Sequence, residues 1–149
     1  MKTFDWTMGN FKWEPWAWYE KVFLDNEIEE IRKISKDPNR SEITTGSIET
    51  GKKDLSVRNC EVSFIYSHVE KNNFLHQRLK NIINELNTML WNIDLTHLET
   101  LQYTKYDSKY KGHYDWHKDH IYENIRNSMR KLSFSLLLSD PKDFEGGNL

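Results

Sequence analysis

Hydrophobic spacing changes character after residue 91, and that change limits what the chain can fold into. Over residues 72–91 the apolar side chains Phe74, Leu75, Leu79, Ile82, Ile83, Leu86, Met89 and Leu90 recur at intervals of three and four. That spacing puts them on one face of an amphipathic helix, with Asn72 or Asn73 placed to cap it. Residues 97–106 (HLETLQYTKY) alternate, and residues 131–139 (KLSFSLLLS) are strongly apolar. Both read as strands. Helices followed by strands give an α+β domain in which helices pack on one antiparallel sheet.

The remaining segments fit around this frame. Asn26 can cap a first helix, with Glu29 three residues on as a capping box prefers. Ile28, Ile31 and Ile34 share one face of it, and Asp37-Pro38 ends it. Residues 39–54 are polar, contain Gly46 and Gly51, and read as a mobile loop. Residues 55–66 (LSVRNCEVSFIY) are rich in strand formers. Asp107-Ser108-Lys109 reads as a turn, 112–119 as extended, 120–129 as a polar connection, and Asp140-Pro141-Lys142-Asp143 as another turn before a segment opened by Gly146-Gly147. Trp6, Trp13, Trp16 and Trp18 crowd the start. Such rings are expected to anchor an N-terminal strand onto a core; a carbohydrate or peptide platform is the alternative.

At 149 residues the chain fits one domain, with 1–96 as a strand and helix support region and 97–149 carrying the first strands of the core. The hydrophobic fraction is 37%, and an aromatic fraction of 13% offsets it because each ring buries a large area. Net charge is −2 with no basic block, which gives no case for nucleic-acid binding. No apolar run approaches the roughly 20 residues of a membrane span, and the start, MKTFDWTMGN, has no apolar signal core. A single cysteine, Cys60, excludes an internal disulfide and fits a cytoplasmic location.

The segment GHYDWHKDH is the chemical centre. On a straight strand His113, Asp115, His117 and Asp119 share one face. An imidazole and a carboxylate two residues apart can chelate one cation. Completed by a second imidazole, they make the facial triad of non-haem Fe(II) oxygenases. Chance alone supplies about 0.4 H-x-D matches in such a composition, so the tripeptide by itself is weak. Two are present, His113-x-Asp115 and His117-x-Asp119.

The surrounding residues are more specific. Tyr106, Gly112, Tyr114, His117 and Asp119 are followed by Arg130, Leu132, Ser133, Leu138 and Ser139, then by LSDPKDFEGGNL. In order and spacing, residues 97–149 resemble the prolyl-hydroxylase-like branch of the Fe(II)- and 2-oxoglutarate-dependent oxygenases. The first half resembles it only in having helices that buttress a barrel. The resemblance implies an α+β fold with an incomplete double-stranded β-helix (jelly-roll) core. It implies a dioxygenase that uses Fe(II), O2 and 2-oxoglutarate, with L-ascorbate as accessory reductant, to hydroxylate a peptidyl or free amino-acid side chain such as proline.

Residue by residue, the resemblance makes His117 and Asp119 iron ligands, with Gly112 and Tyr114 selecting this pair over His113 and Asp115. Tyr106 matches a tyrosine that hydrogen-bonds the cosubstrate. Ser133, Ser135 and Leu137 would line the cosubstrate pocket, and Leu149 matches an apolar pocket position. Arg58 faces a substrate groove or a structural ion pair, and Arg130 is either a surface charge or a site residue. His68, His76, His97 and His120 lack ligand spacing, and Cys60 reads as a buried structural thiol. The family also needs a distal His, and then an Arg or Lys for the far carboxylate of 2-oxoglutarate. His120 is the only His after Asp119, and it is adjacent to it. The chain is therefore expected to be the N-terminal and central part of a longer enzyme, with a short protein of degenerate barrel as the alternative. Two other functions stay open: a non-catalytic jelly-roll ligand-binding module and a zinc-dependent hydrolase. The purified 149-residue chain is expected to form no succinate from 2-oxoglutarate and Fe(II); measurable succinate would contradict this.

Overall fold

The computed structural model describes residues 15–46, 53–117, 119, 122–123 and 128–146. It has mixed α+β architecture. Helix α1 (Asp25–Ile34) and helix α2 (Asn73–Leu86) accompany a three-stranded antiparallel sheet of β1 (Ser41–Thr45), β3 (Glu61–Ile65) and β4 (Leu101–Lys105), in the order β1-β3-β4. Two short ladders complete it: β2 (Arg58–Asn59) with β5 (His113–Tyr114), and β6 (Tyr122–Glu123) with β7 (Ser128–Met129). Strands from both sides of residue 96 thus share one sheet. Among the described residues no helix is long and apolar enough to cross a membrane.

The sheet's two faces differ in chemistry. Ser63 sits between Ile43 and Tyr103, and Ile65 between Ser41 and Leu101. This odd-numbered face supplies Ile65 and Leu101 to a core that also holds Phe23, Ile31, Ile34, Leu75 and Leu79. The opposite face carries Val62, Phe64, Gln102 and Thr104 in register. The helices cover the first face.

Helix α1 starts earlier than its sequence indicates. Its N-cap is Leu24, not Asn26, and Glu27 reaches back to accept the Leu24 N–H at 2.8 Å. Asp25 and Glu27 in the first turn and Arg32 and Lys33 in the last turn suit the helix dipole. Ile31 and Ile34 are buried, as their spacing requires. In α2 Leu75 and Leu79 are the buried apolar residues, while Phe74, and Met89 just beyond the helix, are exposed. The helix widens into a π turn, Asn87–Trp91, and closes on Asn92 in the left-handed region at φ 49°. Asn87 clamps this end, donating to Ile93 O at 2.7 Å and accepting from Ile93 N at 2.9 Å.

Four expectations need correction. Residues 41–45, read as loop, form β1: Ile43 and the threonines are strand formers, and the edge of β3 supplies their partners. Residues 120–129, read as a connection, contain the β6–β7 ladder. Residues 131–139, read as an apolar strand, have no regular structure, although alternation persists: Leu136 and Leu138 pack against the core and Ser133, Ser135 and Leu137 are exposed. A strand needs a hydrogen-bonded neighbour, and no ladder among the described residues includes this segment. Finally, Trp16 and Trp18 are 66% and 65% exposed and anchor nothing in the core; Trp6, Trp13, Gly51 and Gly147 lie outside the described residues.

A buried polar clasp locks the helices to the sheet. Asn72 is fully buried, and its side chain makes no cap bond. Instead its amide donates to Arg40 O (2.9 Å) and Tyr66 O (3.2 Å) and accepts from Arg40 Nε (3.1 Å). Arg40 also pairs with Glu30 on α1 at 2.6 Å. Nearby, Ser41 and Ser63 both donate to Ser35 O. Asn72→Ala strands three polar groups and is expected to cost about 2–3 kcal/mol. A lower urea midpoint at unchanged m-value checks this; an unchanged midpoint would show that the clasp adds no net stability.

Candidate metal centre

The candidate strand is held by a turn that precedes β2. Asp54 accepts from Ser56 N (3.0 Å) and Ser56 Oγ (2.6 Å), and its carbonyl accepts from Val57 N and Arg58 N. The Ser56 hydroxyl, then its backbone N–H, holds the Asp54 carboxyl below its usual value. This turn delivers Arg58 opposite Tyr114 and Asn59 opposite His113. Asp115 N–H extends the contact to Val57 O at 3.0 Å, and Asn59 Nδ2 donates to Tyr110 O at 2.6 Å.

On the other side of β5 the chain turns tightly. Asp107 caps the Ser108–Tyr110 turn, and Lys111 takes φ 52°. Gly112 follows where a Cβ would lie 2.6 Å from Asp107 N and 2.9 Å from Tyr106 Cα. Both neighbours are backbone and cannot yield, so the glycine at this motif position is required by close approach.

His113 and His117 are held differently, and the difference separates the two H-x-D pairs. Both ring nitrogens of His113 face carbonyls, Nδ1 toward Lys111 O (2.9 Å) and Nε2 toward Ser56 O (3.1 Å). Two acceptors favour the doubly protonated ring; the Lys111 carbonyl, then the Ser56 carbonyl, raise its pKa above the ordinary value. A ring used this way offers no lone pair to a metal. His117 makes one such bond: Nδ1 faces Asp115 O at 2.9 Å. A carbonyl only accepts, so Nδ1 carries a proton; Nε2 faces a carboxylate, itself a metal donor, instead of a second carbonyl. Nε2 points to Asp119 Oδ1 at 3.4 Å.

An imidazole lone pair facing a carboxylate oxygen is two acceptors in contact. The arrangement is satisfied by a cation between or beside them, either a proton or a metal. Two donors on adjacent corners of a metal, each roughly 2.1 Å from it, sit roughly 3 Å apart, close to the spacing found. A histidine whose other nitrogen donates to a backbone carbonyl is the usual form of a metal-ligating imidazole. The donor pair therefore fits a divalent cation. It is not sunk in a barrel mouth: the side chains are 40% and 52% exposed. Among the described residues no group of three or more potential metal ligands is present.

The Tyr114 ring connects this pair to the sheet. The His117 imidazole stacks on it at 3.7 Å with 17° between the planes, and the Arg58 guanidinium carbon lies 4.4 Å from the same ring centroid. Such contacts contribute about 0.5–1.5 kcal/mol for the stack and about 0.5–2 kcal/mol for the cation. Arg58 is only 9% exposed, and donates to Cys60 Sγ (3.2 Å) and Gln102 Oε1 (3.3 Å). Gly46 leaves room for it, since a Cβ there would meet Cys60 Sγ at 2.5 Å. Tyr106, just past β4, lies in this same electrostatic neighbourhood. Burial pushes its hydroxyl up, Cys60 and Tyr114 add to the shift, and Arg58 opposes it. At neutral pH Tyr106 therefore stays protonated and can donate.

His117 and Asp119 thus come together beside Tyr114, and Tyr106 shares the neighbourhood of Tyr114 and Arg58. Leu137 is not with them: it borders a cleft against Ile28 and Arg32 of α1, drawn there because Leu136 and Leu138 insert into the core and Arg32 donates to Leu138 O. Ser133 and Ser135 are exposed on that same segment, and Leu149 and His120 lie outside the described residues. Arg130 makes a bidentate pair with Glu99, 2.7 Å in both bonds, which makes it a structural ion pair. Sequence reasoning missed the Asp115 carbonyl and the 54–57 turn; Asp54-x-Ser56 was the available signal. Comparison with family models, with curated proteins and with solved structures yields no match.

Two outcomes are expected. Gly112→Ala should cost about 1–3 kcal/mol by overpacking, read as a lower thermal midpoint; unchanged stability would remove the close-approach argument. His113 carries a raised folded pKa, so its stabilisation is complete below about pH 6.5, the unfolded value. It is lost as pH rises through the folded value. An NMR titration should place the His113 midpoint above that of the denatured chain, and a midpoint at or below it would contradict the two-carbonyl cradle.

Proposed function

We propose that this chain belongs to an Fe(II)- and 2-oxoglutarate-dependent oxygenase that hydroxylates a peptidyl or amino-acid side chain, with its strands part of a jelly-roll core. The observation that carries the reading is the His117 imidazole, pinned through Nδ1 to Asp115 O, with Nε2 directed at the Asp119 carboxylate. That is the imidazole-plus-carboxylate half of a facial triad, with His117 and Asp119 as holders of the iron. The iron, when bound, supplies the activation of O2 and the chelation of the cosubstrate's keto acid.

The chain's own residues account for the rest. The Asp115 carbonyl engages Nδ1 and so turns Nε2 toward a cation held with Asp119. Tyr106, with its hydroxyl held protonated, is a hydrogen-bond donor for a carboxylate or keto oxygen. The half-exposed position of His117 and Asp119 leaves access for a peptide or small-molecule substrate.

The test uses the protein expressed from its complete reading frame. Conversion of 2-oxoglutarate to succinate should require Fe(II) and should fall at least a hundredfold in His117→Ala and in Asp119→Ala, as loss of a ligand demands. Turnover that survives both substitutions would overturn the assignment. Zinc-supported hydrolysis without 2-oxoglutarate would replace it with a metal hydrolase.

A further inference from the structure

His117 lies beyond the end of β5, on backbone outside any ladder, whereas Tyr114 lies inside the β2–β5 ladder opposite Arg58. The single Nδ1 bond to Asp115 O fixes the direction of one ring axis. It leaves the tilt of the imidazole, set by its side-chain torsions, to its other neighbours, and a changed tilt moves Nε2 away from Asp119. The Tyr114 ring closes this freedom, because at 3.7 Å and 17° it sets the plane of the imidazole. Tyr114 is itself held by the Arg58 guanidinium, which donates to Cys60 Sγ and Gln102 Oε1.

We infer that Tyr114 and Arg58 are positioning residues that hold the His117 imidazole in the orientation where Nε2 and the Asp119 carboxylate address one divalent cation. The inference rests on the reading of His117 and Asp119 as metal ligands. A hydrogen bond and a stacking plane together define the ring completely, so the cation meets a donor already in place instead of ordering it on binding. Residues that orient a ligand in this way alter metal affinity by roughly 10–100-fold. The Tyr114 hydroxyl has no part in this, so phenylalanine should serve equally well. Arg58 contributes a flat cation against a ring, which lysine cannot reproduce.

The experiment is NMR of the His117 ring protons together with Mn(II) binding to the same protein. In the metal-free protein the Tyr114 ring current should shift these protons upfield. Tyr114→Phe should keep both the shift and the Mn(II) affinity. Tyr114→Leu should lose the shift and bind Mn(II) about tenfold more weakly, with Arg58→Lys between the two. His117 protons at their random-coil position in the unsubstituted protein would overturn the inference without reference to any variant. Affinity lost in His117→Ala and Asp119→Ala but intact in Tyr114→Leu would overturn the inference alone. Affinity unchanged in His117→Ala and Asp119→Ala would overturn the ligand reading and the inference with it.

Discussion

Arg58 faces Tyr114 across a two-residue antiparallel ladder, and that ladder carries the candidate metal pair. Without it, residues 113–119 would be a polar segment with nothing to orient it. With it, the Val57 carbonyl captures the Asp115 N–H, and the Asp115 carbonyl then captures the His117 ring. Each bond is modest in net terms, about 1 kcal/mol. Their effect is geometric, because they form a relay from a buried arginine on the sheet to an imidazole at the surface.

The two faces of the sheet divide the work. One face, with Ile65 and Leu101, meets α1 and α2 and supplies the apolar burial that holds the domain together. The other carries Gln102, which with Cys60 accepts from the Arg58 guanidinium that supports the site. A buried guanidinium is tolerable there because it has hydrogen-bond partners and an aromatic face against it. The stabilising core and the candidate chemistry therefore lie on opposite sides of β3. Substitutions such as Ile34→Ala should affect folding far more than the geometry at His117.

How far the sequence could be read depended on the range of the interactions involved. Helix α2 was legible because its apolar spacing is a local property, though its π turn and the exposure of Phe74 and Met89 were not. The β1 strand was hidden because residues 41–45 look polar. They are a strand only because β3 offers them an edge. The opposite error occurred at 131–139, where apolar alternation predicted a strand that has no ladder partner among the described residues. At the site, the two H-x-D pairs differ in their ring partners. His113 faces two carbonyls, Lys111 and Ser56, that no motif reveals. That Leu137 borders α1 was not legible, because assigning a face requires knowing where the helices lie.

The central claim is that His117 Nε2 and Asp119 Oδ1 ligate the same divalent ion. Anomalous diffraction from a crystal soaked in Mn(II) tests it directly. The account predicts a manganese peak about 2.2 Å from both atoms, with Nδ1 still bonded to Asp115 O. A map with no peak between them, or a His117 ring turned so that Nε2 faces solvent away from Asp119, would contradict it.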